Sequence, residues 1–553
     1  MASRATAALL AVAALLAVAD TAGARTVLRV GGPSAPFEPL AAIYASDREP
    51  ADKRFEVLDS SGDVIDRRRL IKAPGDPAPF AHAYRANLSR STGPGTYRVR
   101  VGRTTSRRWR VTPAGSRPAI AQILRFFDAN RDGAEPSQTH GPAHLNDALI
   151  HPDAPAHGGT KIAIAGGWMD AGDMLHFTQT TAFAASVLQA AARLDPADAD
   201  ALNAEADVGV RWLLAAHPFS DAFVAQVGDE RDHGRGFRDP AADDTSGEPG
   251  IGTRFAYTLP PDRIGGDLGG KAATALAMAY ERTGSVPLLA AAREWYDAGA
   301  LSAAPAPRLD RAGYPGYAGD FYVSDRWQDS MATGALALYR ATGEQGYLDD
   351  YDAFISSRES QAEGTIGSVD GFGQLGAADA CGELGRPPLP LGETFGHSCS
   401  LLNQDASIVR RLARSNAFGM PGYFGWGTTA QNGAGGALAA MRDQCRVAAG
   451  ARDYLLGRNP FGRSFVVGYG PKAARHPHHW ASSLGGAGEP QGAVVGGPAP
   501  LTSIRAQGFD VTGPFNSRFA AYEDKRPNYV TSEPALDYAA TSILLLAALD
   551  AHC

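Results

Sequence analysis

Gly166-Gly167-Trp168-Met169-Asp170-Ala171-Gly172-Asp173 leads, four residues later, into the Ala- and Leu-rich stretch 178–194, whose apolar residues recur at helical spacing. The same alternation of Gly-, Pro- or Asp-rich loop and Ala/Leu-rich helix runs through the rest of the chain. Further helices are read at 202–217, 268–283, 286–301, 329–342, 436–456 and 534–549. Several loops between them exceed ordinary connections, and long loops between ordered elements usually carry function. The helices share no 30–45-residue repeat of the kind that marks a solenoid. The expectation is an all-α toroid of stacked helices over 119–553, its site built from loops.

Upstream the pattern changes. Residues 25–113 read as short strands at 26–30, 55–58, 97–101 and 107–111, separated by turn signals such as Ser61-Gly62-Asp63 and Gly93-Pro94-Gly95. About 90 residues so punctuated fit a small β-sandwich. This part holds 17 Lys/Arg and 9 Asp/Glu, net +8, so the remainder of a chain with net charge −7 carries −15. Arg98 and Arg100 alternate with Val99 and Val101, which places both arginines on one strand face. That face is read as solvated or paired with the acidic second part, with binding of an acidic glycan or the bacterial surface as the alternative. The boundary falls at 113–118. Before it all, Arg4, the apolar run 7–19 and Ala22-Gly23-Ala24 describe a secretory signal peptide over 1–24 and a secreted or periplasmic protein.

With 553 residues, 44% hydrophobic and 20% charged, the chain can bury a large core, and its negative balance excludes a nucleic-acid binder. No stretch after the signal reaches the roughly 18 apolar residues of a membrane helix. The best, 535–549, is interrupted by Asp537. An even count of four cysteines in an exported chain favours disulfides. Of three pairings, Cys381–Cys399 and Cys445–Cys553 are preferred, with a zinc site as the alternative.

Three constellations carry chemistry. Asp170 and Asp173 sit three apart in a glycine-rich turn, beside Trp168, whose ring offers a stacking face for a sugar. The same turn also reads as a calcium loop or a helix cap. Glu533 opens the last apolar helix, with Asp537 one turn on. Arg475-His476-Pro477-His478-His479-Trp480 offers imidazoles for sugar hydroxyls or a metal, without the H-E-x-x-H pattern. Gly265 to Gly270 is glycine-rich but lacks the Lys-Ser/Thr ending of a phosphate loop.

Taken in order, these motifs resemble glycoside hydrolase family 9. Gly167 to Asp173 is similar to its G-W-x-D-A-G-D. Tyr454-Leu455-Leu456-Gly457-Arg458-Asn459-Pro460, followed by Ser464 to Gly470, resembles its next signature. Tyr522-Glu523-Asp524, Arg526, Tyr529 and Glu533 to Tyr538 resemble its C-terminal one, and Asp325 to Leu348 is also similar. The resemblance implies an immunoglobulin-like β-sandwich followed by an (α/α)6 barrel. It further implies an inverting hydrolase in which Asp173 is the general base, Asp170 helps hold the water and Glu533 is the general acid. His478, Tyr538, Trp168 and Trp480 are the expected substrate-binding side chains, and no metal or cofactor is needed.

Several positions depart from the family. Trp480 stands where an arginine is usual, Ser532 and Ala539 replace asparagines, and Thr333 falls where a tryptophan is common. The stretch Thr139 to Leu145 lacks the cysteines with which related enzymes bind zinc. The leading expectation is a monomeric endo-β-1,4-glucanase acting on an oligo- or polysaccharide. An exo-acting glycosidase on glucosamine-rich short chains and a non-catalytic glycan-binding protein stay open.

Overall fold

The helix read at 178–194 forms over those residues, and every one of its side chains except Arg193 is buried. Its small residues allow such close approach, since Ala adds little bulk and pays no side-chain entropy. A computed structural model describes residues 24–553 apart from 37, 89–91, 136, 315–320, 358–359, 391 and 485–487. The proposed signal peptide therefore lies outside the described residues, save for Ala24.

Among the described residues, twelve helices of eight or more residues follow one another from residue 117. They are α1 (Arg117–Ala129), α2 (Thr178–Leu194), α3 (Ala199–Ala215), α4 (Gly266–Thr283), α5 (Val286–Ser302) and α6 (Gln328–Thr342). The second half comprises α7 (Gln345–Ile355), α8 (Gly373–Ala380), α9 (Glu393–Ser415), α10 (Thr428–Met441), α11 (Cys445–Leu455) and α12 (Leu536–His552). Even-numbered helices form an inner ring: α2 packs on α4, α4 on α6, α6 on α8, α10 on α12 and α12 back on α2. Helix α9 joins α8 to α10, and each odd-numbered helix lies against an inner one. This is the expected (α/α)6 barrel.

Two details differ from the sequence reading. The single helix expected at 436–456 is divided between α10 and α11, because the chain turns at Asp443 with φ +55°. The domain is also not purely helical. Four short strands at Leu149–Ile150, His176–Phe177, Phe223–Val227 and Phe255–Leu259 form a small sheet in its loops.

The N-terminal part is a sandwich of two antiparallel sheets. Its strands are β1 (Thr26–Arg29), β2 (Ala41–Ser46), β3 (Arg54–Leu58), β4 (Val64–Arg69), β5 (Ile71–Lys72), β6 (His82–Asn87), β7 (Gly95–Val101), β8 (Thr104–Thr105) and β9 (Trp109–Val111). One sheet runs β1-β2-β6-β5 and the other β4-β3-β7-β8, with β9 also on β7. The apolar core between them includes Val30, Phe55, Val57, Val99 and Trp109. On the basic face, Arg100 and Arg67 both pair with Glu56 of their own sheet.

The two parts meet through buried polar contacts. Arg452 pairs with Glu38 and donates to Ser34 Oγ at 3.0 Å, Arg458 donates to the Ala41 carbonyl at 3.0 Å, and Arg29 reaches the Pro460 carbonyl at 3.0 Å. Disulfides join Cys381 to Cys399, tying the end of α8 to α9, and Cys445 to Cys553, tying the start of α11 to the chain end. Among the described residues no helix is long and apolar enough to cross a membrane.

Candidate active site

The acidic turn before α2 is held in place from below. Asn130, at the end of α1, donates through Nδ2 to the carbonyls of Met169 (2.8 Å) and Ala171 (3.2 Å). Its Oδ1 accepts from His479 Nε2 at 2.8 Å, and His479 Nδ1 accepts from the Ala481 amide at 3.2 Å. Burial pushes His479 down to about 3, so the ring is neutral and one tautomer satisfies both contacts.

Backbone hydrogen bonds then draw three distant segments together. The Trp480 amide donates to Gly172 O (2.9 Å), the His478 amide to Ser532 O (2.9 Å) and the Leu536 amide to Asp170 O (3.0 Å). Only glycine fits at 172, where a Cβ would stand 2.1 Å from the His478 carbonyl and 3.1 Å from Glu533 Oε1. The structure thus gathers Asp170, Asp173, His478 and Glu533 at one end of the barrel.

The three carboxyl groups have different surroundings. Asp170 is buried, and the hydroxyls of Thr180 and Tyr322 donate to its two oxygens. Burial, assisted by the negative charges of Asp173 and Asp537, pushes it up to about 8 against those donors. Asp173 is half-buried; its Oδ1 accepts from the Leu175 amide at 3.1 Å, and its Oδ2 lies 2.8 Å from His233 Nδ1. That contact lifts the exposed His233 to about 9. Glu533 is half-buried, and the low polarity around its carboxyl together with the charge of Asp173 pushes it up to about 8. One carboxyl beside a cation and another held neutral near pH 7 are the electrostatic conditions for base and acid in one site.

Around them, His478 Nδ1 contacts the Arg526 carbonyl at 2.8 Å, and burial lowers its affinity for a proton. The neutral ring therefore donates there and leaves Nε2 as an acceptor. The ring meets those of Phe237 and Tyr529 at steep angles, with centroids 4.7 and 5.6 Å apart. Alongside runs a cavity of about 460 Å³ lined by Tyr322, Asp370, Tyr423, Trp426, Asp537 and Tyr538 among others. Tyr423 and Trp426 are exposed, and the Trp426 ring also lies 5.6 Å from that of Tyr529.

Two expected sugar-binding residues are corrected. Trp168 is fully buried, stacked edge-on against Phe127 and hydrogen-bonded through Nε1 to Glu205 at 2.9 Å. Trp480 is fully buried with Met169, Met174 and Ala481. Neither ring has a face left for a ligand. Both are core residues because the turn they flank must be immobilised. Sequence reasoning missed His233, Tyr322, Thr180, Asn130, Tyr423 and Trp426. His233 sits in an ordinary charged run, Asp229 to Arg235, and nothing local marks it.

The stretch 139–145 contributes to an ionic cluster. His144 bridges Asp132 and Asp243, while Arg254 pairs with Asp132 and Asp147 and His176 also contacts Asp132. Among the described residues no group of three or more His, Cys, Asp or Glu is arranged to hold a metal. Thr333, at the position where the family commonly has a tryptophan, is buried and donates to the Asp329 and Phe372 carbonyls.

A double ring of helices with an immunoglobulin-like module and clustered carboxyl groups beside an aromatic-lined cavity defines a glycoside hydrolase of cellulase type. Comparison with known proteins places it more narrowly. The chain belongs to glycosyl hydrolase family 9, whose sequence model matches residues 117–546. The cellulase N-terminal ig-like domain matches residues 35–106. Endoglucanase 5 of Arabidopsis thaliana is 27% identical over 496 residues, covering 78% of this chain and 73% of the relative. An endoglucanase of Dictyostelium discoideum is 27% identical over 474 residues, covering 78% and 60%. Among solved structures, a metagenome-derived glycoside hydrolase family 9 endoglucanase superposes with a TM-score of 0.76 at 24% identity, covering 96% of this chain and all of that one. A family 9 protein of Bacteroides ovatus has a TM-score of 0.76 at 21% identity, covering 95% and 98%.

Proposed function

We propose that this protein is a secreted or periplasmic, monomeric, inverting hydrolase of β-1,4-linked glucans. The observation that carries the reading is the pairing of Glu533, pushed up to about 8, with Asp173, held beside the His233 cation. Glu533 is then the general acid that protonates the leaving glycosidic oxygen. Asp173 is the general base, accepting a proton from the attacking water, and Asp170 orients that water. In inverting enzymes the two carboxyls stand about 6.5–9.5 Å apart, leaving room for the water between them. His478 presents Nε2 as acceptor for a sugar hydroxyl, while Tyr538, Trp426 and Tyr423 supply the cavity's aromatic surface. The endoglucanase relatives support a β-glucan as substrate.

A second reading is favoured by the charge of the cavity, which among the described residues is lined by Asp370, Asp537 and Glu363, the last paired with Arg326 from outside it, and by no lysine or arginine. Such a wall suits a cationic amino sugar, hence an exo-acting enzyme on glucosamine oligosaccharides. One experiment separates the two. The mature protein is incubated with cello-oligosaccharides and with glucosamine oligosaccharides, and products are followed by chromatography and their anomeric configuration by NMR. Mixed short cello-products with inverted configuration support the glucanase. Single sugars released from the amino series alone support the second reading. Retained configuration rejects the assigned roles.

A further inference from the structure

A cavity of about 480 Å³ lies where β6 of the sandwich meets α9 and α11 of the barrel. Five arginines line it: Arg85 on β6, Arg410 and Arg414 near the end of α9, Arg446 at the start of α11, and Arg458 beyond that helix. One carboxylate, Asp443, shares the wall. Among the described residues, the side chains of Arg85, Arg410, Arg414 and Arg446 have no hydrogen-bond or ion-pair partner.

The fully buried Arg254 and Arg452 are matched by acids, Arg254 with Asp132 and Asp147, Arg452 with Glu38 and Asp453. In the seam only Arg458 is buried, with Asp453 3.4 Å from its Nη1, while Arg85 is half-buried and Arg410, Arg414 and Arg446 are exposed. Arg458 is 5% exposed; it donates to the carbonyls of Ala41 and Gly450 and pairs with Asp453, but among the described residues its buried Nε has no hydrogen-bond partner. Arg85 and Arg458 converge: a Cβ on Gly419 would stand 3.5 Å from one Nη2 and 3.8 Å from the other. Burial, with the charges of Arg458, Arg446 and Arg414, pushes Arg85 down to about 10. The eleven-residue α11 turns its N-terminal end, with Cys445 and Arg446, to the same space. The dipole of that helix adds to the positive potential.

We propose that this seam is a second binding site, for a small multivalent anion bearing two or more carboxylate or phosphate groups. A monovalent anion would satisfy one guanidinium, whereas two converging forks, Arg85 and Arg458, with three more arginines on the cavity wall call for several acceptor groups. The volume lies within the roughly 300–1,000 Å³ range of small-molecule pockets, well beyond the needs of one phosphate. Because Arg85 belongs to the sandwich and the other four to the barrel, the ligand bridges the two. Occupancy must then stabilise the folded protein, as does anything that binds only the native state. The site is independent of the hydrolytic reading.

The test uses the intact protein. Inorganic pyrophosphate and citrate are titrated separately by calorimetry at constant ionic strength, with thermal melts alongside and chloride and acetate as controls. The expected result is saturable binding of at least one probe and a rise in Tm that the controls do not reproduce. Binding of pyrophosphate alone identifies a phosphorylated ligand, of citrate alone a carboxylated one, and of both the shared chemistry. Arg85→Gln and, separately, Arg410→Gln are expected to weaken binding about tenfold each, with turnover unchanged. Should Arg85→Gln fail to fold, Arg410→Gln and Arg414→Gln on the exposed end of α9 carry the test. Absence of saturable binding by both probes, or binding indifferent to the arginine substitutions, overturns the proposal.

Discussion

Glu533 keeps a proton in the fold that it would lose in water, and this has consequences for rate and for stability. As the proposed acid it must be protonated, so kcat/KM is expected to fall as pH rises through about 8, measurable as the alkaline limb of a pH–rate profile. Glu533→Gln is expected to lower turnover by about 10²–10⁴-fold. The same substitution alters stability in the opposite sense. The folded state binds this proton more tightly than the unfolded chain, so the wild type loses stability between about 4.5 and 8 as pH rises. Glutamine does not titrate, and Glu533→Gln should therefore be more stabilising at pH 8 than at pH 5 in urea melts. An equal effect at both values would contradict a raised carboxyl. For His233, which touches Asp173, His233→Asn is expected to reduce kcat about tenfold with little change in KM, because positioning of the carboxylate is lost while sugar contacts remain.

At the scale of elements, the site depends on loops pinned to one another by backbone hydrogen bonds. Gly172→Ala would push a methyl group into the His478 carbonyl and against Glu533. Displacing the acid by about 1 Å is expected to cost about a hundredfold in kcat while circular dichroism stays native. A variant with normal kcat would show that the 172–478 contact does not set the geometry. The Cys445–Cys553 disulfide closes a segment with a sequence separation of 108 and holds the final helix, which packs on α2 and α10. Replacing both cysteines by serine is expected to destabilise the protein by up to about 4.7 kcal/mol on chain-entropy grounds. The acid-bearing loop, joined to α12 through the Leu536 amide, should lose activity at a lower temperature in that variant.

At the scale of the molecule, sandwich and barrel share buried charges instead of an apolar face alone. Arg452 is fully buried and relies on Glu38 from the other part, with Asp453 beside it. Removing one partner of a buried pair leaves the other charge uncompensated, so Glu38→Ala is expected to cost about 3–5 kcal/mol in chemical denaturation. A change below 0.5 kcal/mol would show that Asp453 alone satisfies the guanidinium.

The helical ring was legible because its inner helices are Ala/Leu-rich at a 3.6-residue period, and α2 lies over the residues read for it. Helix α9 was not, since its first half carries polar residues and its apolar stripe emerges only against α8 and α10. The acids were legible as a motif, whereas His233 and Tyr322 were not, being local in neither sequence nor pattern. Trp168 and Trp480 misled because an aromatic beside an acid reads the same whether it faces a sugar or the core. The amino-acid sequence by itself determined the element types, the order of the two parts and the family, through periodicity and short contiguous motifs. Only the tertiary structure decided which side chains face the cavity, which carboxyls differ in protonation and where the arginines converge. Burial and electrostatic neighbours are set by contacts between residues far apart in the chain.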